Sequence, residues 1–249
     1  MSSVRALTWI ELKLFLREPV TVVFTLALPP LVLFVLSEVF GDVPDPQGAV
    51  FRGVGGSTYY LPAYIGLVVA SLGVIGLPVH LASYRERGVL RRFQAARVPV
   101  RALLASQLAV LAAGVVAGAA LLIGLAAVTS DIRWAASWFG VVAATALGVI
   151  MFAAIGVLLG AVMPTARAAQ GIGLLLWFTM MMVCGAGPPP EVLTPTLTWI
   201  GELLPLRPLV IAVQDPWLGF GFNWAQAGVL AAVGVGSAVL AVPALRHRS

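Results

Sequence analysis

Charge is what this sequence has least of. Of 249 residues only 10% are Asp, Glu, Lys or Arg, 60% are apolar, and the mean hydropathy is +1.01. A soluble domain carries about 25% charged and about 45–50% apolar residues. A chain this poor in charge cannot cover its apolar surface with water-facing groups. That excludes a soluble enzyme, a disordered chain and a nucleic-acid-binding domain, and indicates a polytopic membrane protein. Lysine is almost missing: Lys13 is the only one and follows Leu12, so no Gly-Lys-Ser/Thr phosphate-binding loop exists. The histidines are His80 and His247, with no His-Glu-x-x-His and no pair of acids inside the apolar runs. Intramembrane proteolysis by a metal or by paired aspartates is therefore unsupported. One cysteine, Cys184, makes no internal disulfide and no metal site alone, and reads as a small packing residue.

What is present is length of apolar sequence. Six runs, at about residues 20–37, 59–84, 102–128, 135–163, 168–184 and 222–245, each approach or exceed the roughly 20 residues that cross a bilayer. Ala, Leu, Val and Gly dominate them, and the alternating pattern of a membrane barrel is absent. The fold class is thus all-α, with six transmembrane helices. No signal peptide is evident, because Arg5, Glu11, Lys13 and Arg17 precede any long run. The net charge of +5 is distributed as an orientation signal. Segments 1–19, 85–101, 164–167 and 246–249 hold 12 of the 15 basic residues, leaving Arg52, Arg133 and Arg207 for the other side. The positive-inside rule then puts both termini in the cytoplasm.

Three segments are not spans. In residues 3–17, Val4, Leu7, Ile10 and Leu14 recur at helical spacing with Arg5, Glu11 and Lys13 off that face. This reads as an interfacial helix, either a membrane anchor or a mechanical link to a partner. Residues 85–99 form a basic cytoplasmic helix whose Val89, Leu90 and Phe93 share one face. Orientation needs only its arginines; the Leu-Phe face suits docking into a partner's groove. Residues 185–219 are apolar but cut by seven prolines. Two short helices, 191–203 and 206–213, are expected to dip into the outer leaflet, since pieces of this length are re-entrant or interfacial rather than spanning.

Few ionisable groups lie at membrane depth. His80 falls near the inner end of the second run, and Glu38 at the outer end of the first, where solvation is expected. No acid–base chain crosses the bilayer, which argues against proton-coupled transport. Gly114-x-x-x-Gly118 and Gly156-x-x-x-Gly160 read as internal packing contacts. Trp177, Phe178 and Met181, with Met180 and Met182, give the fifth run a large adaptable surface, either lipid-facing or the wall of an apolar substrate path.

Tyr84-Arg85-Glu86-Arg87-Gly88-Val89-Leu90-Arg91-Arg92-Phe93 resembles the coupling helix of membrane permease subunits of type-2 ABC exporters, which include bacterial drug and antibiotic efflux permeases. That helix usually reads Glu-Arg-Gly-x-Leu-Arg-Arg-Leu and is followed by Thr-Pro, where this chain has Arg97-Val98-Pro99. Leu203-Leu204-Pro205 stands where the family's outer re-entrant helices turn, and the resemblance covers nearly the whole chain. It implies one permease domain over 1–249 in the bacterial cytoplasmic membrane: interfacial helix 1–18, coupling helix 85–99, re-entrant helices 187–214. Glu86, Arg87, Gly88, Leu90, Arg91, Arg92 and Phe93 would couple to an ABC ATPase on a separate chain, present in two copies and holding ATP and Mg. This chain would bind no cofactor and have no catalytic site. A second permease subunit would complete a homo- or heterodimer in membrane lipid, with no nucleic acid involved. Pro189, Leu203, Leu204, Pro205 and Leu206 would form an outer gate. The scarcity of fixed charges in the spans favours export of an apolar or amphipathic drug, lipid or natural product. The other reading is a non-transporting membrane protein, an intramembrane enzyme or an assembly scaffold.

Overall fold

The computed structural model describes residues 8, 9, 11–14, 17–41, 50–89, 100–129 and 132–246. After helical turns at residues 8–9 and 11–14 come α1 (Pro19–Phe40), α2 (Gly56–Glu86), α3 (Val100–Thr129), α4 (Trp138–Val162), α5 (Ala166–Val183), α6 (Pro195–Leu203), α7 (Leu206–Leu218) and α8 (Trp224–Arg246). Six of these, all but α6 and α7, are long and apolar enough to cross a bilayer, and no strand occurs among the described residues. Local chemistry sets the ends. Pro19 and Pro195 occupy first helical turns, where their missing N–H is no loss. The Ser137 hydroxyl accepts the Gly140 N–H at 3.2 Å, and the Thr165 hydroxyl the Ala168 N–H at 3.0 Å. The Ser137 cap starts α4 three residues later than the apolar run begins.

One helix organises the bundle. The apolar window of α2 is 94% buried, while those of the other spans are between 17% and 39% buried. α1, α3, α4, α5 and α7 all pack on it. Helices in lipid gain little from apolarity itself, so such enclosure depends on close contact and small residues. Gly114 and Gly118 of α3 meet Leu72 and Val68. Gly156 and Gly160 of α4 meet the turn around Gly73, Leu77 and Leu81. Both small-residue motifs thus pack within the chain.

The middle of α2 departs from α-helical geometry for a specific reason. Pro78 lacks an N–H, and its ring would strike the carbonyl four residues back. The helix widens just before it into a π turn, Leu72–Gly76, in which the Leu77 N–H bonds to the Leu72 carbonyl, five residues back. α1 does the same before Pro29, with a π turn at Val23–Ala27 and the Leu28 N–H on Val23. Widening takes the Leu77 N–H away from its α-helical acceptor, the Gly73 carbonyl. That oxygen lies against Gly156, and the next one, of Val74, lies against Gly173 of α5. A side chain at either glycine would overlap the oxygen, so only Gly lets these helices meet, through Cα–H···O contacts. Beside the two π turns, the buried hydroxyls of Thr25 and Ser71 hydrogen-bond at 2.9 Å and pin α1 to α2.

α6 and α7 meet at 88°. α7 begins level with Gly66, where Leu206, Leu209 and Val210 contact that glycine, and ends at Gly140, which meets Pro216. Gly66 is ten residues along α2 from Gly56, so the corner lies about 15 Å below the end of α2, and α7, about 20 Å long, is too short to cross. Compared with the expected helices, 190–192 is a 3-10 turn and α6 starts only at Pro195. α7 runs five residues beyond 213, to Gly219 at φ +94°, because Pro216 falls in its last turn and Gly219 supplies the left-handed cap. α6 exposes Leu197, Trp199 and Leu203, whereas α7 is buried along most of its length. Trp199, Trp134, Trp138 and Trp224 are all exposed at this end, as an aromatic belt at a membrane interface requires.

Enlarging Gly156 or Gly173 to Ala should destabilise the chain by about 1–3 kcal/mol, because backbone must move to admit the methyl. Gly124→Ala, with open space around its Cα, should be neutral. Unfolding midpoints in detergent for the three variants check this.

Candidate functional site

Two polar clusters lie at opposite ends of α2. The basic end carries the arginine-rich connection. Here Arg85 reaches across to the C-terminus of α4. Its Nη1 donates to the carbonyls of Gly160 (3.1 Å) and Ala161 (2.9 Å), and its Nη2 to those of Met163 and Pro164. A cation on the unpaired carbonyls of a helix C-terminus satisfies both the acceptors and the helix dipole. Glu86 accepts the Ala166 N–H at 3.3 Å at the start of α5. α2 is thereby fastened to the α4–α5 connection just before it ends.

The end itself needs glycine. Arg87 caps α2, its N–H on the Ser83 carbonyl, and Gly88 turns away at φ +66° with its N–H on the Arg85 carbonyl. Nothing lies within 4 Å of a Cβ placed on Gly88, so the requirement is conformational, not one of space. Of the expected coupling residues, Glu86, Arg87 and Gly88 are thus placed at the exit of the enclosed helix. Leu90, Arg91, Arg92 and Phe93 lie outside the described residues.

The N-terminal segment is sewn to the same place. The Tyr84 hydroxyl donates to Glu11 Oε1 at 2.6 Å, and His80 Nδ1 lies 3.1 Å from Glu18 Oε1. The Thr21 hydroxyl donates to Glu18 at 3.3 Å. Burial pushes both carboxyls above the usual carboxylate range, opposed at Glu11 first by the Tyr84 hydrogen bond and at Glu18 by Thr21 and the charge of Arg87. Spacing put Glu11 off the apolar face of an interfacial helix, but it is 1% exposed. Tyr84 and His80, one helical turn apart on α2, supply the polar neighbours that make its burial tolerable. Glu38 is exposed, as its position at a span end suggests.

The far end has its own lock. Arg52 precedes α2 and bridges to Asp215 of α7 at 2.6 Å, with Gln214 Oε1 at 3.4 Å. The Asn223 side chain donates to the other Asp215 oxygen at 2.6 Å, and the Gln214 side chain donates to the Tyr59 carbonyl at 3.1 Å. The guanidinium also lies over the Phe220 ring, 4.7 Å from its centre. Phe51 and Arg52 both hold positive φ, 55° and 56°, in a region that side chains disfavour. The sequence reading missed this lock. Its signal was Gln214-Asp215 inside an otherwise apolar stretch, a pair that burial obliges to find partners.

The expected gate residues fall on the corner between α6 and α7. Leu206 is fully buried against Gly66 and Pro189 is buried. Leu203 is 65% exposed, and Leu204 and Pro205 are half-buried. Of the two leucines flanking Pro205, only Leu204 is partly exposed, and Leu203 beside it is exposed. Trp177 and Met181 of the expected substrate wall are buried, and Phe178 is exposed. Trp177 donates to the Leu67 carbonyl at 3.4 Å and meets Phe24 edge-on at 5.1 Å.

A six-span bundle, a glycine-terminated second span opening a basic segment, and a broken helix pair before the last span form one pattern. The family model of the ABC-2 type transporter matches the chain over residues 2–216, which takes in all of these features but the last span. The chain belongs to the ABC-2 type transporter family. No curated protein matches it. It is therefore a multi-pass membrane permease of an ABC transporter, and the two polar clusters lie at the two ends of that permease's central helix.

Removing Arg52 leaves the Asp215 carboxylate, 9% exposed, without its cation. Arg52→Ala should destabilise the permease by about 1–3 kcal/mol. Arg52→Met combined with Asp215→Leu should restore part of the loss, since nothing charged then remains buried. Thermal unfolding of the single and double variants measures both.

Proposed function

We propose that this permease is the membrane subunit of an ATP-driven exporter, with its basic end and both termini in the cytoplasm. One observation carries the reading: the single enclosed span ends at Glu86-Arg87-Gly88, the start of the segment that resembles a coupling helix. A push on that segment meets a helix held by Arg85 and Glu86 on one side and by the N-terminal segment on the other, so force enters the bundle rather than bending a loop. The chain lacks a phosphate-binding loop, so ATP and Mg belong on a separate ABC ATPase, two copies of which would dock on two permease subunits. The 12-to-3 split of basic residues favours the cytoplasm for this end, and the tryptophan belt fits the opposite interface.

The substrate class follows from what the outward faces carry. α1, α5 and α8 expose Val, Leu, Ile, Phe and Met, and an apolar or amphipathic molecule, a drug, lipid or natural product, suits such walls. Phe178 and Met182 are the α5 side chains that such a molecule would touch. The corner at Leu203 and Leu204 is the part of the far end free to close against a second permease subunit, and so acts as the outer gate.

The test is docking. Leu90→Ala with Phe93→Ala removes two apolar side chains, each worth about 1.5–3 kcal/mol if buried against a partner. The double variant should insert normally, lose capture of the ATPase from detergent, and lose ATP-dependent substrate export from vesicles. Unchanged capture would refute the coupling assignment.

A further inference from the structure

Among the described residues, the contact between the N-terminal segment and α2 brings two carboxyls against one imidazole. His80 sits between two carboxylates: Nδ1 lies 3.1 Å from Glu18, and Nε2 lies 3.8 Å from Glu11 Oε2. Three buried polar atoms here, Glu11 Oε2, His80 Nε2 and Gln107 Nε2, make no hydrogen bond. Gln107, on α3, is close enough to ease the Glu11 charge without a well-formed bond. His80, Glu18 and Gln107 line a cavity of about 20 Å³ whose other walls are Leu72, Gly76, Leu77, Val110 and Leu111. That volume takes one water with polar partners on one side and apolar walls on the other.

Among the described residues, Arg87 is the one cation that acts on this pair of acids, and it acts on Glu18 from the mouth. Tyr84 donates to Glu11. Arg85 and Glu86 are committed to α4 and α5, Lys13 lies over the Trp9 ring, and Arg17 is exposed. Glu11 is 1% exposed and Glu18 is half-buried, so leaving both as anions on either side of a neutral ring carries a cost, chiefly at Glu11. A proton on either carboxyl, or on the ring so that both nitrogens donate, removes most of it.

We propose that Glu11, His80 and Glu18 form a proton-binding site that clasps the N-terminal segment to α2. Because the clasped arrangement binds the proton more tightly than the separated groups, protons favour it. The clasp is complete at low pH and is lost as pH rises through the raised carboxylate range. It is not a conduction path, since the next ionisable side chain of α2 towards the far end is Tyr64, more than four helical turns away. Its consequence for export rests on the function proposed above: releasing the clasp frees Arg87 and Gly88, where the coupling segment starts. His80 is in this sense a positioning residue.

The clasp is testable without the ATPase. Leu12 is half-buried in the contact and Trp9 is exposed. In a Cys184→Ala chain, a cysteine replacing Leu12 or Trp9 reports opening through its labelling rate in vesicles. The Leu12-to-Trp9 rate ratio cancels the pH dependence of thiol reactivity. The ratio should rise several-fold as pH is raised from the ordinary carboxylate range to well above it. Glu11→Gln, which mimics the protonated carboxyl, should hold it low throughout, and Glu18→Gln should flatten it in the same way if Glu11→Gln fails to fold. Infrared difference spectra over the same range should show a protonated carboxyl that the Gln variant lacks. A ratio independent of pH in the parent, or an unaltered slope in the Gln variants, overturns the proposal. Neither result depends on whether the chain exports anything.

Discussion

The structure depends on how closely helices can approach the middle of α2. A π turn forced by Pro78 turns the carbonyls of Gly73 and Val74 outwards, and two glycines, Gly156 on α4 and Gly173 on α5, are small enough to receive them. In lipid, a polar backbone group without a partner is costly, so the same irregularity that would weaken an isolated helix becomes its attachment to two neighbours. α1 repeats the device before Pro29 and is pinned beside it by the Thr25–Ser71 hydroxyl pair. The result is a helix whose apolar length is enclosed, with its polar attachments at its two ends.

Each end of that helix is held by charge, in a different manner. At the basic end Arg85 and Glu86 cap the termini of α4 and α5, so the exit of α2 is fixed by helix dipoles as well as packing. At the far end Arg52, held in a disfavoured backbone conformation, ties the entrance of α2 to Asp215 on α7. A load applied at Gly88 therefore has a stiff route to the corner between α6 and α7. The exposed parts of that corner, Leu203 and Leu204, are where relative movement between subunits would be felt.

Much of this was legible in the sequence, because membrane spans declare themselves by length and lack of charge. All six runs became helices, within about three residues at each end; Ser137 and Thr165 moved two of the starts. The break at Leu204-Pro205 was also readable, since proline kinks or breaks a helix and here the flanking apolar pieces are each too short to span. Partnership between distant residues was not. Glu11 reads as a surface charge until Tyr84 and His80 are brought against it, and Asp215 reads as the end of a helix until Arg52 arrives from 163 residues away. Trp177 and Met181 look like a surface in a one-dimensional pattern, because the pattern cannot say which side of α5 faces α2. The π turns were hidden for a related reason: Pro29 and Pro78 lie within spans, and sequence alone does not distinguish a kink from a widened turn.

α7 is buried along most of its length and packs on α2, so the two helices are expected to move as one rigid unit. Gly66 and Val210 approach within van der Waals distance, 3.7 Å from a Cβ at Gly66 to a Val210 methyl. A disulfide between Gly66→Cys and Val210→Cys, formed in a Cys184→Ala chain reconstituted with its ATPase, would lock the two helices together. Substrate exported per ATP hydrolysed should be the same in the oxidised and reduced forms. Export lost on oxidation and regained on reduction, with ATP hydrolysis continuing, would show that α7 must leave α2 during transport.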